Sequence, residues 1–178
     1  MGVATDTGSL VWFQDKPFPF NVDTPGISYV ESFADGPKVA NFVLGTDVTW
    51  EATGIVICGL VFRSEEDLIE GKQYQFLFLR LSGAPGWDIE FHKDGYWKNT
   101  ITGDVRFSDA IKLENKATNN ILLIAENEKF TVYINGVRQG NFFDYSKQSL
   151  EGQFGFIVSE DSGVSTCTYS NTWIWQLP

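Results

Sequence analysis

The stretch FTVYINGVRQGNFFD, residues 130–144, most constrains the fold because it has the pattern of a β-hairpin. Phe130, Val132 and Ile134 alternate with Thr131 and Tyr133, and Asn135-Gly136 supplies the two positive φ angles that a type I′ turn requires. One face of the hairpin is therefore apolar. Because a lone hairpin is only marginally stable in water, this face needs a larger sheet and a second layer to cover it.

Short apolar or alternating segments recur along most of the chain. Residues 54–63 (GIVICGLVFR) and 74–81 (YQFLFLRL) are apolar on both faces, which predicts buried central strands, while residues 87–93 (WDIEFHK) alternate strictly. Turn residues separate these segments at roughly the spacing of an antiparallel sandwich, and no repeat of a solenoid or propeller appears. The sequence predicts an all-β, two-sheet antiparallel β-sandwich of about eleven to thirteen strands.

The length of 178 residues suits one domain. Residues 1–27 are rich in Pro and Gly and predict an irregular lead-in, with or without one strand, packed on the sandwich. Residues 28–178 are predicted to form the single sandwich domain. Within it, residues 28–32, 39–44 and 47–52 predict three short strands, and residues 110–112 predict another.

Composition restricts the partners. Lys and Arg total 13 against 23 Asp and Glu, so the formal charge of −10 should repel phosphate backbones, and nucleic acid is not an expected partner. No apolar run is long enough for a transmembrane segment. The first residues, MGVATDTGSLVW, lack the charged and apolar regions of a signal peptide.

The two cysteines, Cys58 and Cys167, do not form a CxxC metal or redox motif. Two alternatives remain open from the sequence. Both residues are buried thiols within strands, or one disulfide ties an early strand to the last strand and indicates an oxidising compartment.

Several motifs resemble those of a known superfamily. They are CGLVFR at 58–63, YQFLFL at 74–79, NNILLIAENEKFTVYINGVRQG at 119–140, LEGQFGFIVS at 150–159 and YSNTWIW at 169–175. In this order they resemble the concanavalin A-like lectin/glucanase superfamily, and more narrowly its bacterial laminin-G-like and 3-keto-disaccharide hydrolase-like domains. The resemblance covers roughly residues 42–175, and its motifs specify a fold better than a function.

The resemblance implies a jelly roll of two antiparallel sheets, one of them concave, with oligosaccharide or polysaccharide binding or glycan hydrolysis as common uses of the concave side. It also implies an extracellular or cell-surface protein, either monomeric or part of a larger multidomain chain, whose signal segment is not present in this sequence. Lectin-like jelly rolls often hold calcium in acidic loops. Bound calcium is therefore an alternative here at residues 65–67, 94 and 160–161, although no loop has a D-x-D-x-D-G spacing. No other cofactor is expected.

A catalytic site is weakly indicated. Retaining glucanases of the superfamily carry E-x-D-x-x-E, because two carboxylates must flank the glycosidic bond. The nearest segment here is Asp88-Ile89-Glu90, in which the order differs and the third acid is missing. Asp88 and Glu90 are weak catalytic candidates, and the alternative is a solvated strand face. His92 is the single histidine, which disfavours a Ser-His-Asp relay or a multi-histidine metal site.

A sugar-binding site is better indicated, because proteins pair an exposed aromatic ring with planar polar groups to bind sugars. Around the Asp94-Gly95 turn the candidates are Tyr96 and Trp97 after it and His92, Asp88 and Glu90 before it. Arg80, near the end of another strand, is a further candidate. Arg63 ends another strand, and Tyr133 points away from the hairpin core. Trp87, Trp173 and Trp175 are predicted to lie in the core.

The sequence therefore predicts a non-catalytic carbohydrate-binding or adhesion module. The alternatives are a glycoside hydrolase-like enzyme of the same fold that uses Asp88 or Glu90, and a purely structural domain.

Overall fold

A computed structural model of the chain describes residues 7–81, 83–161 and 163–178. These residues form fourteen strands and no helix. In chain order the strands are β1 (Ser9–Phe13), β2 (Phe18–Val22), β3 (Ser28–Ser32), β4 (Phe42–Ala52), β5 (Val56–Ser64), β6 (Gln73–Leu81), β7 (Ala84–Lys93), β8 (Tyr96–Thr100), β9 (Arg106–Phe107), β10 (Thr118–Glu126), β11 (Lys129–Ile134), β12 (Val137–Phe143), β13 (Gln153–Glu160) and β14 (Ser165–Gln176).

The strands build two stacked antiparallel sheets of seven strands each. Sheet A has the order β1-β14-β4-β10-β11-β12, with β2 also paired to β14. Sheet B has the order β3-β13-β5-β6-β7-β8, with β9 also paired to β7. The predicted all-β sandwich is confirmed. No helix among the described residues is long and apolar enough to cross a membrane.

The hairpin of β11 and β12 has the predicted turn, since Asn135 and Gly136 have φ values of 49° and 78°. Its core face, Phe130, Val132 and Ile134, is fully buried between the sheets. Alternate residues of the other strands complete one apolar layer, which is why period-2 patterning alone predicts much of the core.

A disulfide bond joins the two sheets. Cys58 on β5 of sheet B and Cys167 on β14 of sheet A are both fully buried, and their sulfur atoms are bonded across a sequence separation of 109. Of the two alternatives that the sequence left open, the structure contains the disulfide.

Strand β4 is one continuous strand where the sequence pattern predicted two, so the break expected near Gly45 was wrong. The indole of Trp173 lies over Gly45, and a Cβ atom at that position would come within 2.4 Å of the ring. Gly45 therefore makes room for an aromatic ring and does not end the strand. Residues 110–112, predicted as a strand, form a turn in which the Ile111 amide donates to the Ser108 carbonyl.

The N-terminal lead-in contains two strands, β1 and β2, which both pair with β14. Residues 1–6 of this predicted segment lie outside the described residues. The pairing explains why the Pro-rich segment is ordered, because Pro19 sits in an edge strand, where a missing amide donor is tolerated.

Two tryptophans predicted to lie in the core are on the outer face of sheet A. Trp87 is buried as predicted, but Trp173 and Trp175 are only partly buried and lie outside the core cluster. The pairing of β14 with β4 shifts between Ser170 and Trp173, and Asn171 has a φ of 49°. This β-bulge reverses the alternation, so Thr172 and Ile174 face the core in place of the tryptophans.

Candidate functional site

Polar side chains line the outer face of sheet B along β7. Trp87, Ile89 and Phe91 belong to the core, so the alternate residues Asp88, Glu90 and His92 face outward. The strict alternation of this segment produces the arrangement that the sequence predicted for β7.

The turn at Asp94-Gly95 returns the chain as β8, an edge strand of sheet B. The pairing of β7 with β8 is irregular between Phe91 and His92, so His92 lies opposite Trp97 and Glu90 lies opposite Thr100. Directly paired residues of antiparallel strands share a face. Trp97 and Thr100 therefore lie on the same outer face as Glu90 and His92.

These four residues, Glu90, His92, Trp97 and Thr100, form the β7–β8 cluster. Nε2 of His92 and Oε2 of Glu90 are 2.8 Å apart and share a hydrogen bond. The Trp97 indole Nε1 donates to Oγ1 of Thr100 at 3.3 Å. Trp97 is 55% exposed, whereas the side chains of His92 and Glu90 are 17% and 20% exposed. The cluster thus combines an accessible ring with a partly accessible imidazole and carboxylate.

Two buried glutamines on β6 lie beside the Glu90–His92 pair, and the sequence analysis did not identify them. Gln73 pairs with His92 and Gln75 pairs with Glu90. Gln73 donates from Nε2 to the Leu68 carbonyl at 2.8 Å, while its Oε1 is buried without a hydrogen-bond partner among the described residues. The signal for both was present in QYQFLFLRL, residues 73–81, where the two glutamines share one parity in a mostly apolar strand.

Asp88 faces outward but is only 2% exposed, because the segment after β8 folds over it. Oγ1 of Thr102 donates a hydrogen bond to the Asp88 carboxylate, and the Ile101 amide donates to the Ile89 carbonyl at 2.7 Å. Burial raises the pKa of Asp88 from 3.8 to about 6, although the hydrogen bond from Thr102 acts in the opposite direction. Asp88 therefore anchors the covering segment and presents little surface to a ligand.

Tyr96 and Arg80 do not join the β7–β8 cluster. Tyr96 is 71% exposed, but it neighbours Trp97 in β8 and so faces the opposite side of the strand. Arg80 lies seven residues beyond Gln73 on β6, and donates to the Gly54 carbonyl at 2.9 Å and the Leu113 carbonyl at 3.3 Å. Its guanidinium stabilises loops at the far end of the sandwich.

Arg63 is fully buried and also has a structural environment. It donates to the Ala40 carbonyl from Nε at 2.9 Å and from Nη2 at 2.7 Å, and to the Asn127 carbonyl from Nη1 at 2.6 Å. Burial lowers the pKa of Arg63 to about 10. It holds two loops together at one end of the sheets.

The acidic loops do not converge on a metal centre in the part of the chain that the structure describes. No group of three or more His, Cys, Asp or Glu residues there is arranged to hold a metal ion. Asp67 instead accepts the amides of Ile69 and Glu70, each at 2.9 Å, and Glu160 accepts the Ser165 hydroxyl at 3.0 Å.

The chemistry that the β7–β8 cluster offers is recognition of a ligand with an apolar face and hydroxyl groups. The Trp97 ring offers a surface for C–H contacts, and the carboxylate of Glu90 accepts hydrogen bonds. The ring nitrogens of the His92 imidazole offer donor and acceptor positions in a fixed plane.

No protein-family model matches the chain, and no curated protein matches its sequence. Solved structures do share its architecture. The carbohydrate-binding module CBM66 from Bacillus subtilis is 16% identical, with a TM-score of 0.64 over 86% of this chain and 84% of that one. A protein of unknown function with a galectin-like fold, also from Bacillus subtilis, is 10% identical, with a TM-score of 0.67 over 96% and 97%.

A legume lectin-like domain from Entamoeba histolytica is 12% identical, with a TM-score of 0.65 over 97% of this chain and 89% of that domain. Identities this low show the fold alone. The resemblance found in the sequence is confirmed at that level: this chain has the jelly-roll sandwich fold of concanavalin A-like proteins.

Proposed function

We propose that this protein is a non-catalytic carbohydrate-binding module and that the β7–β8 cluster binds its glycan. The observation that carries the proposal is the position of the exposed Trp97 ring on the same sheet face as the hydrogen-bonded Glu90–His92 pair. A ring of this kind stacks on the apolar face of a sugar, while the polar pair contacts its hydroxyl groups. The partner is an oligosaccharide or a polysaccharide.

The fold neighbours support the proposal by what their names state, namely a carbohydrate-binding module and a legume lectin-like domain. The disulfide supports an extracellular or cell-surface location, because such bonds persist in oxidising compartments. We place the domain in a larger secreted protein, where a module that only binds brings its partner domains to the glycan.

The test uses two neighbouring aromatic residues on opposite faces of β8. Trp97→Ala removes the stacking surface, and Tyr96→Ala removes an exposed ring from the other face. A glycan array identifies a ligand for the wild-type chain, and titration calorimetry then measures both variants. We expect Trp97→Ala to weaken binding by about tenfold or more, from the roughly 1–1.5 kcal/mol of an aromatic contact plus its buried area. Tyr96→Ala should bind as the wild type does.

Equal effects of the two substitutions would contradict the assignment of the outer face. Retention of full affinity by Trp97→Ala would exclude the cluster as the site. The wild-type chain failing to bind any glycan on the array would instead favour a purely structural domain.

A glycoside hydrolase-like activity is the second candidate, favoured by a carboxyl group with a pKa of about 6 beside Glu90. A carboxyl group with such a pKa keeps its proton up to a pH of about 6, where it could act as a general acid. The catalytic candidate predicts release of reducing sugar that both Asp88→Asn and Glu90→Gln abolish. The binding proposal predicts no release by the wild-type chain on a glycan that it retains.

A further inference from the structure

A pocket with aromatic walls opens at one edge of the sandwich, where β1 and β2 of sheet A face β3 of sheet B. It has a volume of about 410 Å³, within the range of roughly 300–1,000 Å³ that is typical of small-molecule sites. The rings of Trp12, Phe18, Phe33 and Phe156 line it. We call this space the edge pocket.

The aromatic wall is continuous and fixed. Trp12 stacks on Phe33 with ring centroids 4.4 Å apart and planes inclined by 17°. Phe33 contacts Phe156 at 4.4 Å, and Phe156 stacks on Phe18 at 5.2 Å. The Trp12 indole nitrogen donates to the Ala34 carbonyl at 2.9 Å. Because its N–H group already has a partner, Trp12 offers a ligand its ring surface.

The chain path explains why the pocket stays open. β1 and β2 pair with different parts of β14, and residues 14–17 connect them beside the bulge of that strand. The Gln14 amide donates to the Thr172 carbonyl at 2.9 Å, and its side-chain Nε2 donates to the Tyr169 carbonyl at 3.2 Å. These bonds hold the connection against β14, so the pocket forms without a ligand.

The mouth of the pocket carries an excess of negative charge. Asp15 and Lys16 lie on one side and Glu31 lies on the other. Within the described parts of the chain, the side chains of these three residues make no ion pair or hydrogen bond. Two carboxylates against one ammonium group, on a chain of formal charge −10, attract cations. Aromatic faces attract cations as well.

We propose that the edge pocket binds an alkylated ammonium ion, with its apolar groups against the aromatic wall and its charge near Glu31 and Asp15. A small cation fits better than an added peptide strand. Glu31 pairs with Phe156 and so projects from the edge strand β3 toward the gap between the sheets. A charge in that position opposes strand addition.

The edge pocket is separate from the β7–β8 cluster. β3 and β8 are the two outer strands of sheet B, five strand spacings apart, which is roughly 24 Å. The two proposals therefore stand or fail independently.

The test titrates the full chain with choline and with its uncharged isostere 3,3-dimethylbutan-1-ol, and follows ¹H–¹⁵N NMR spectra. We expect choline to give saturable shifts of the Trp12 indole and of the backbone amides of Phe18, Glu31 and Phe33. The isostere should bind at least about tenfold more weakly, and added salt should weaken choline binding. Shifts scattered over the surface, or equal affinity for the two probes, would overturn the proposal.

Two variants and two controls complete the design. Trp12→Leu should abolish the choline response, and Glu31→Gln, which leaves the aromatic wall intact, should weaken it several-fold. Asp109→Asn removes an exposed carboxylate elsewhere, and Trp97→Leu alters only the β7–β8 cluster, so both should bind choline normally. If Glu31→Gln and Asp109→Asn lower the affinity equally, the net charge of the chain is what attracts choline, and the proposed site is wrong.

Discussion

Replacing Asp88 with asparagine should change how the stability of the protein depends on pH. Burial raises the pKa of Asp88 from 3.8 to about 6 in the folded chain. The folded state therefore binds the proton more tightly than the unfolded state does, and ionisation of Asp88 disfavours folding. The stability that the neutral carboxyl provides is fully present below pH 3.8 and is lost as pH rises through about 6.

The size of the effect follows from the same two pKa values. A pKa difference of 1 corresponds to about 1.36 kcal/mol. The rise of about 2 for Asp88 therefore lowers the unfolding free energy by about 3 kcal/mol at pH values above about 6. Asparagine keeps the carbonyl oxygen that accepts the Thr102 hydroxyl, but it never ionises. The unfolding free energy of Asp88→Asn, relative to that of the wild type, should therefore rise by about 3 kcal/mol between about pH 3.5 and pH 7.5.

Urea unfolding at a series of pH values, followed by tryptophan fluorescence, measures this difference. With an m value of roughly 2 kcal/mol/M, the midpoint of the variant should gain about 1.5 M relative to the wild type over that range. Asp109→Asn, an exposed acid, is the control and should show a small and nearly constant difference. A flat difference for Asp88→Asn, or one that favours the wild type as pH rises, would refute the argument that desolvation dominates at Asp88.

Three further substitutions test the packing. The pair Cys58→Ala and Cys167→Ala should lower the unfolding free energy by about 4–5 kcal/mol in urea titrations, because the bond closes a loop over a separation of 109 residues; a loss below about 1 kcal/mol would contradict this. Gly45→Ala should cost about 1–3 kcal/mol and alter near-ultraviolet circular dichroism, since Trp173 must move, and it should be nearly neutral in a Trp173→Ala background. Arg63→Leu should lower the thermal midpoint more than Arg63→Lys does, because it leaves two carbonyl groups without their donor.

The parts of the fold that the sequence predicted are those fixed by local physics. Asn135-Gly136 determines its own turn, and the alternation of Phe130, Val132 and Ile134 determines which face is buried. The predicted run at residues 54–63 is apolar on both faces because loops cover the outer side of sheet B. For example, Leu68 packs against Gly155, the neighbour of Val61 in the adjacent strand.

The predictions that were wrong concern positions whose structure depends on the neighbouring strand. The bulge at Asn171 turns Trp173 outward, and the ring then requires glycine at position 45 of the neighbouring strand. Neither residue carries a local signal of this coupling, since Asn-Thr-Trp also fits a regular strand. The pattern therefore placed Trp173 and Trp175 in the core and divided β4 in two.

In the candidate site, too, the sequence predicted what local alternation determines and not what strand pairing determines. Alternation along β7 placed Glu90 and His92 on one face, and the Asp94-Gly95 turn placed an aromatic pair beside them. Whether Tyr96 or Trp97 shares that face depends on the irregular pairing of β7 with β8, which the sequence pattern does not encode. Gln75 lies beside Glu90 because of the register between β6 and β7, which the pattern of either strand alone does not encode.

The position of Thr102 separates the two functions considered for this face. Glycan binding by Trp97 and Glu90 requires no change in the described contacts, because Trp97 is exposed and Glu90 is partly exposed as they stand. Catalysis by Asp88 requires the covering segment to leave, with loss of the Thr102 hydrogen bond and of the backbone bond from Ile101. A pair of carboxylates that flanks a glycosidic bond must reach it together. Here the Glu90 carboxylate is partly exposed and the Asp88 carboxylate is buried beneath the covering segment, which supports the proposed binding face over the catalytic candidate.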